Sequence, residues 1–122
     1  MERKFDLENR LIDFAATIIK TAEGFPKSYA GNHLAGQLTR SGSSPALNYG
    51  EAQGAESRND FIHKMKIALK ELRETNNGLK IVLKLNWTKN DKIELILKEC
   101  NELISIFVKS IETAKNNNQA KK

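Results

Sequence analysis

The sequence predicts an all-α protein, an antiparallel up-and-down four-helix bundle formed by residues 1–115. Three observations support this prediction. Apolar residues repeat at alternating spacings of four and three through four segments, the periodicity of a helix that buries one face. Glycine, proline or asparagine residues separate those segments. No stretch between turn residues alternates as a half-buried strand does. Four amphipathic helices with short connections pack as a bundle.

The first two helices are predicted over residues 6–23 and 30–53. In the first, the inward positions repeat at spacings of 4, 3 and 4: Leu7, Leu11, Phe14 and Ile18. Asp6 precedes them as the expected N-cap, because its side chain can accept a free N–H of the first turn. The second helix is expected to end at Gly54, in the left-handed conformation that glycine adopts readily.

The third and fourth helices are predicted over residues 58–85 and 90–115. Ser57 is the expected N-cap of the third helix. Its inward positions are Phe61, Met65, Ala68, Leu72, Thr75, Leu79 and Val82. Those of the fourth helix repeat at the same spacings: Ile93, Leu97, Cys100, Ile104, Phe107, Ile111 and Ala114. Residues 116–122 are polar and partly basic, which predicts a flexible tail.

Polar residues occupy inward positions where the second helix meets the third. Facing residues of this antiparallel pair have numbers that sum to about 111. Arg40 then faces Glu71, Asn48 faces Lys64, and Glu51 faces Asp60 with Lys64 one turn further on. We expect Lys64 and Glu71 to hydrogen-bond the uncharged members, since an unpaired buried polar group costs about 1–3 kcal/mol. This polar seam comprises Arg40, Ser41, Asn48, Glu51, Lys64 and Glu71, and its expected role is to fix helix packing.

A basic face is the strongest pattern outside the core. Its five members lie on the third helix: Lys66, Lys70, Arg73, Lys80 and Lys84. Helical periodicity places them away from the apolar positions. Such a row could bind the phosphates of RNA or DNA, although a charged helix face more often serves solubility. No aromatic residue is interleaved to stack on bases, so any binding is expected to tolerate all sequences.

The patterns that catalysis, metal binding or cofactor binding require are missing from the sequence. Asp60 and His63 form half of the carboxylate–histidine motif of di-iron bundles, which needs two copies. Cys100 lies on the apolar face of the fourth helix, where a thiol is inert. No glycine-rich phosphate loop occurs. We therefore expect a non-enzymatic protein with no catalytic residue, no metal and no cofactor.

Composition is that of a soluble globular domain, with 39% hydrophobic and 29% charged residues. The first ten residues contain no apolar run, so we expect no signal peptide and no membrane span. The single cysteine predicts a cytoplasmic protein. The net charge of +5 is weak support for an anionic partner, because three of the positive charges lie in the last eight residues.

The stretch RSGSSPALNYGEAQGAESRNDFIHKMKIALKELRE resembles the signature of a bacterial four-helix-bundle family, the proteins encoded in intervening sequences of 23S ribosomal RNA genes. The matching residues are Arg40, Ser41, Asn48, Glu51, Ala52, Gly54, Ser57, Asp60, Phe61, Lys64, Ala68, Leu69 and Glu71. The resemblance implies an all-helical bundle that assembles as a homopentamer with a central channel. It brings no settled activity for this branch.

A similar bundle is the accessory variability protein of diversity-generating retroelements, a pentamer that binds nucleic acid and a reverse transcriptase. This chain departs from the pattern at Thr39, where relatives often carry a second basic residue beside the one matched by Arg40.

Two hypotheses of different class follow. In the first, the chain is a homo-oligomer that binds RNA or DNA non-specifically through the basic face. In the second, it is a scaffold whose surplus apolar surface serves subunit packing and a protein partner, with no role for nucleic acid.

Overall fold

The computed structural model describes residues 6–120, and the side chains of residues 6–117. Within that range the chain forms four helices and no strand: α1 (Leu7–Glu23), α2 (Tyr29–Gln53), α3 (Arg58–Leu85) and α4 (Asn90–Ala120). The first three begin and end within one residue of the predicted bounds. α4 continues past the expected end near residue 115, so residues 116–120 of the predicted tail are helical. Residues 1–5, 121 and 122 lie outside the described residues.

Side-chain caps fix where three helices begin. Asp6, Ser28 and Ser57 each accept the backbone N–H three residues later at 3.0 Å, which satisfies a donor that the first turn leaves free. α2 ends before Gly54 as predicted. The expected left-handed conformation there is wrong, because Gly54 has φ −100° and its N–H bonds the carbonyl of Glu51.

The helices follow one another around the bundle. Each packs on its neighbours in the chain, and α4 closes back on α1 through a smaller contact. The backbones of the diagonal pairs α1–α3 and α2–α4 stay apart, and Tyr49 of α2 meets Phe107 of α4 only through their rings, 6.1 Å between centroids. At one end, Phe25 from the first connection packs against Trp87 from the last, with ring centroids 5.4 Å apart. This aromatic pair closes the core where the two connections meet.

The core takes its side chains from all four helices. On α4 the buried strip differs from the predicted seam, since Ile96 and Leu103 are buried while Leu97 and Ile104 are only half-buried. The physical reason is that α4 lies between α3 and α1, and its buried face turns toward the space that they share. A heptad pattern alone does not fix that rotation.

Two glycines allow close helix contacts. A side chain at Gly42 would meet Ile18 of α1 at 2.6 Å, and one at Gly78 would meet Leu38 of α2 at 2.8 Å. Both distances are shorter than van der Waals contact. The glycines therefore let α1 approach α2, and α2 approach α3, more closely than any larger residue would.

Candidate functional site: polar seam, basic face and neighbouring grooves

Arg40 is the centre of the polar seam. Its Nη1 lies 2.9 Å from Glu71 Oε1, as predicted, and its Nη2 contacts the carboxylate of Glu74 and, at 3.1 Å, the side-chain oxygen of Gln37. The Glu71 side chain is only 10% exposed, so this ion pair compensates a nearly buried charge. The charges of Glu71 and then Glu74 raise the pKa of Arg40.

The predicted partners of Ser41 and Asn48 are wrong. Ser41 is buried and hydrogen-bonds the Thr75 hydroxyl at 2.8 Å. Asn48 donates to the carbonyl of Ser44 at 3.1 Å and to its hydroxyl at 2.9 Å. An asparagine in a helix reaches its own preceding turn more easily than the next helix. The inward position of Thr75 in the sequence was the signal that could have identified the partner of Ser41.

Lys64 and Glu51 complete the seam, with Lys64 Nζ 2.7 Å from Glu51 Oε1, so Lys64 pairs with the carboxylate one turn away rather than with Asn48, which it was expected to face. The hydrogen bond to Glu51, followed by its charge, raises the pKa of Lys64. The ionised groups of the seam thus pair with one another across α2 and α3. This internal pairing supports the structural interpretation of the seam.

The basic face has a different environment. All five of its side chains are exposed, and none of them forms an ion pair within residues 6–117. Arg10, Arg40 and Lys64, by contrast, are each held by carboxylates of another helix. From Lys66 to Lys84 the face extends about 27 Å along α3. It is an unneutralised row of positive charge.

Sequence reasoning missed a groove beside this face. It lies between α3 and α4 and has a volume of about 320 Å³. We call it the asparagine groove, and its lining residues are Arg73, Asn76, Asn77, Asn101 and Ile104. Asn101 comes from α4, and no helical pattern in the sequence brings it to the basic face. The groove therefore becomes visible only when the two helices are packed.

α2 presents a second exposed face with few charges. Tyr29 is 90% exposed and Leu47 is 68% exposed. Gly36 lies between these two residues in the chain, and Gly50 lies beyond Leu47. At both glycines, no atom is near the place that a side chain would occupy. We call these four residues the outer face of α2. Their exposure has no explanation within a single copy of the chain.

Cys100 is buried, and its thiol lies 3.4 Å from the carbonyl oxygen of Leu72. Burial raises its pKa to about 11, so the reactive thiolate is suppressed. In the described part of the chain, no three histidine, cysteine, aspartate or glutamate residues gather as metal ligands would.

A larger cleft of about 550 Å³ opens where Leu7, Tyr49 and Phe61 meet α4. Its lining is mainly apolar, and Lys109 is its one charged side chain among the residues described. Burial raises the pKa of Tyr49. The polar lining groups of the cleft, Gln53, Ser105 and Ser110 beside Lys109, are uncharged except for that lysine.

Among the helices of residues 6–120, none has both the length and the apolar composition that are needed to cross a lipid bilayer.

Comparison with known proteins finds a family whose model matches this chain and a solved structure with a similar fold. A family model described as 23S rRNA-intervening sequence protein matches residues 3–109. A solved structure of a protein with unknown function from the S23 ribosomal protein family of Bacteroides thetaiotaomicron VPI-5482 is 28% identical. The similarity covers 87% of this chain and 98% of that one, with a TM-score of 0.81. No curated protein matches the chain.

Proposed function

The chain belongs to the family of 23S rRNA-intervening sequence proteins, and from that premise we propose that it is a self-assembling helical bundle whose basic face binds the phosphates of nucleic acid. The role is one of binding rather than catalysis, and its place is the cytoplasm. The observation that carries the proposal is the row of five exposed cations on α3 that lack carboxylate partners within residues 6–117.

The absence of internal ion pairs matters because a cation that is paired with a carboxylate must break that pair before it can bind a phosphate. Arg40 would have to leave Glu71 and Glu74 in order to bind a phosphate. Lys70 and Lys80 have no such competitor among the described residues. Each phosphate that they neutralise releases counterions, which is the main driving force of non-specific binding. Lysine contacts phosphates rather than base edges, so affinity should depend little on sequence.

A double charge reversal tests this proposal. Lys70→Glu with Arg73→Glu should weaken binding of duplex RNA or DNA at least tenfold, because two attractive contacts become repulsive. For comparison, Lys98→Glu with Lys109→Glu changes the net charge equally on exposed positions of α4. Affinity measured by fluorescence anisotropy should fall about 10³-fold or more from 50 to 200 mM salt, if six or more phosphates are contacted in the assembly.

Two results would contradict the proposal. One is no measurable binding by the unmodified protein at 50 mM salt. The other is an equal loss in both double variants, which would show that net charge rather than the basic face governs binding. Circular dichroism on all three proteins checks that the helices remain intact.

We propose further that the outer face of α2 is where copies of the chain meet, in the homopentamer that the resemblance implies. None of the four residues of the outer face is charged, and interface cores are depleted of charge in this way. The two ionised side chains of α2, Arg40 and Glu51, border this face and pair with α3. An exposed glycine in a helix costs roughly 0.5–1 kcal/mol relative to alanine. Close approach of another backbone would offset that cost at Gly36 and Gly50.

Leu47→Lys tests the assembly. Light scattering should report a pentamer for the unmodified protein and a smaller species for the variant, because a charge would be buried at the contact. Leu95→Lys on α4 is a matched control, since Leu95 is 69% exposed and Leu47 is 68% exposed. A monomeric unmodified protein, or dissociation by both variants alike, would contradict the assignment of this face.

The alternative function is a scaffold that contacts a protein partner and no nucleic acid. The exposed, weakly charged face of α2 favours protein contacts, so this alternative shares the assembly but not the role of the basic face. The charge reversal separates the two functions, because a scaffold would show no salt-dependent binding of RNA or DNA.

A further inference from the structure

The asparagine groove contains hydrogen-bonding groups that binding of phosphates does not use. Arg73 belongs both to the basic face and to the rim of this groove, which α3 and α4 build together. The groove thus opens directly beside the row of cations. A nucleic-acid strand held by its phosphates on that row would have the groove within reach of its bases.

Asn76 is the fixed group of the groove. It is only 7% exposed, and its Nδ2 donates to Asn101 Oδ1 at 2.9 Å. Turning the amide over would lose the contact with Asn101. Its Oδ1 accepts no hydrogen bond from the part of the chain that the structure describes. This oxygen opens to solvent at the groove, since it is not among the fully buried polar atoms that lack a partner, so a ligand donor can reach it.

The rim supplies complementary donors. Asn77, Asn101 and Arg73 are exposed, and the structure gives no acceptor for their side-chain N–H groups within residues 6–117. Ile104 forms a half-buried apolar wall on the α4 side. An acceptor that opens to the groove, several exposed donors and an apolar wall together match a flat heterocycle that carries both donors and acceptors.

We propose that the asparagine groove holds an unpaired purine base of a nucleic-acid strand lying on the basic face. Asparagine amides pair with N6 and N7 of adenine, and arginine pairs with O6 and N7 of guanine. A base inside a duplex cannot enter, whereas a base in a single strand or loop can turn outward. This inference rests on the proposed function, since the strand must first be held by its phosphates. The groove would add a preference for strands with unpaired purines, which contacts with phosphates alone would not give.

The experiment compares three probes at 50 mM salt: oligoadenylate, oligouridylate of equal length, and a duplex of that length. The unmodified protein should bind oligoadenylate about tenfold more tightly than oligouridylate, within the range of one good base contact. Asn101→Leu and Asn77→Leu should each reduce this ratio while leaving affinity for the duplex within about twofold. Both positions are exposed, so the fold should tolerate the changes. Asn117→Leu, exposed at the far end of α4, is the matched control.

The outcomes distinguish the two proposals. Binding of all three probes without preference, or a preference that survives both variants, overturns the purine site and leaves the proposed function intact. A preference lost in either variant but kept in Asn117→Leu supports the purine site. Failure to bind any probe, duplex included, overturns the proposed function and the purine site together.

Discussion

Two arginines on neighbouring helices show how contacts decide the role of a residue. Arg40 meets Glu71, Glu74 and Gln37 and is held among them. Arg73 is exposed, with no ion pair in the described part of the chain. Their charges are identical, but only the charge of Arg73 is not offset by a neighbouring carboxylate, so Arg73 is the one that can attract an external anion. For the same reason, replacing Arg40 should lower the free energy of unfolding, since it would leave the nearly buried Glu71 carboxylate without its cation.

Cys100 gives a prediction at the residue scale. Its pKa is raised by burial to about 11 from an ordinary value of 9.0. The unfolded chain therefore loses this proton at lower pH than the folded chain, so the stabilisation is complete below pH 9 and is lost as pH rises toward 11. Urea unfolding of the protein and of Cys100→Ala should show the protein losing about 1–2 kcal/mol more than the variant between pH 8 and 10.5.

Parallel stability curves for the two proteins would contradict this prediction. Alkylation provides an independent check, because a buried neutral thiol should react at pH 8 only after the protein is unfolded.

At the scale of the element, α2 meets a different environment on each of three sides. One side carries Ser41 and the other polar seam residues toward α3. A second side carries Gly42, on which Ile18 of α1 packs. The third is the outer face, where Gly36 meets nothing. The low content of large apolar residues in α2 follows from these three demands.

The glycines of α2 give a matched pair of substitutions. Gly42→Ala should lower the free energy of unfolding by about 1–3 kcal/mol, because the added methyl group would overlap Ile18. Gly36→Ala should raise it by roughly 0.5–1 kcal/mol, since alanine favours the helix and the position is open. Both are measured by urea unfolding in the Leu47→Lys background, where assembly does not contribute. Equal effects would show that the two positions have the same surroundings.

At the scale of the whole molecule, the order of the helices keeps the two proposed surfaces apart. The backbones of α2 and α4 stay apart, with Tyr49 of α2 reaching Phe107 of α4 across the core, so assembly through the outer face of α2 would leave the groove between α3 and α4 open. The smaller contact between α1 and α4 is reinforced by Arg10, whose guanidinium bonds both oxygens of Glu99 at 3.0 and 2.6 Å and also reaches Glu102. Self-association and binding of nucleic acid are therefore compatible in one bundle.

Assembly should strengthen binding when the nucleic acid is long enough to touch several copies. We expect Leu47→Lys to bind a long duplex more weakly than the unmodified protein, with a shallower dependence on salt, because fewer phosphates are contacted at once. A duplex of about 8 bp is roughly 27 Å long, the length of one basic face, so its affinity should change little. An unchanged salt dependence on the long duplex would show that one copy binds alone.

The sequence by itself determined the helices, their order, most of the core and the family. Helical periodicity and caps are local signals, and they placed α1, α2 and α3 within one residue. The facing of Arg40 and Glu71 and the approach of Lys64 to Glu51 were also predictable, because a short connection fixes the register of two antiparallel helices.

Only the tertiary structure decided how α4 turns about its axis and which groups it brings to α3. That rotation buried Leu103 and placed Asn101 beside Asn76. The tertiary structure also showed which cations already form ion pairs with carboxylates. The physical reason is that partner choice depends on distances between helices far apart in the chain, whereas periodicity reports only which side of each helix avoids water.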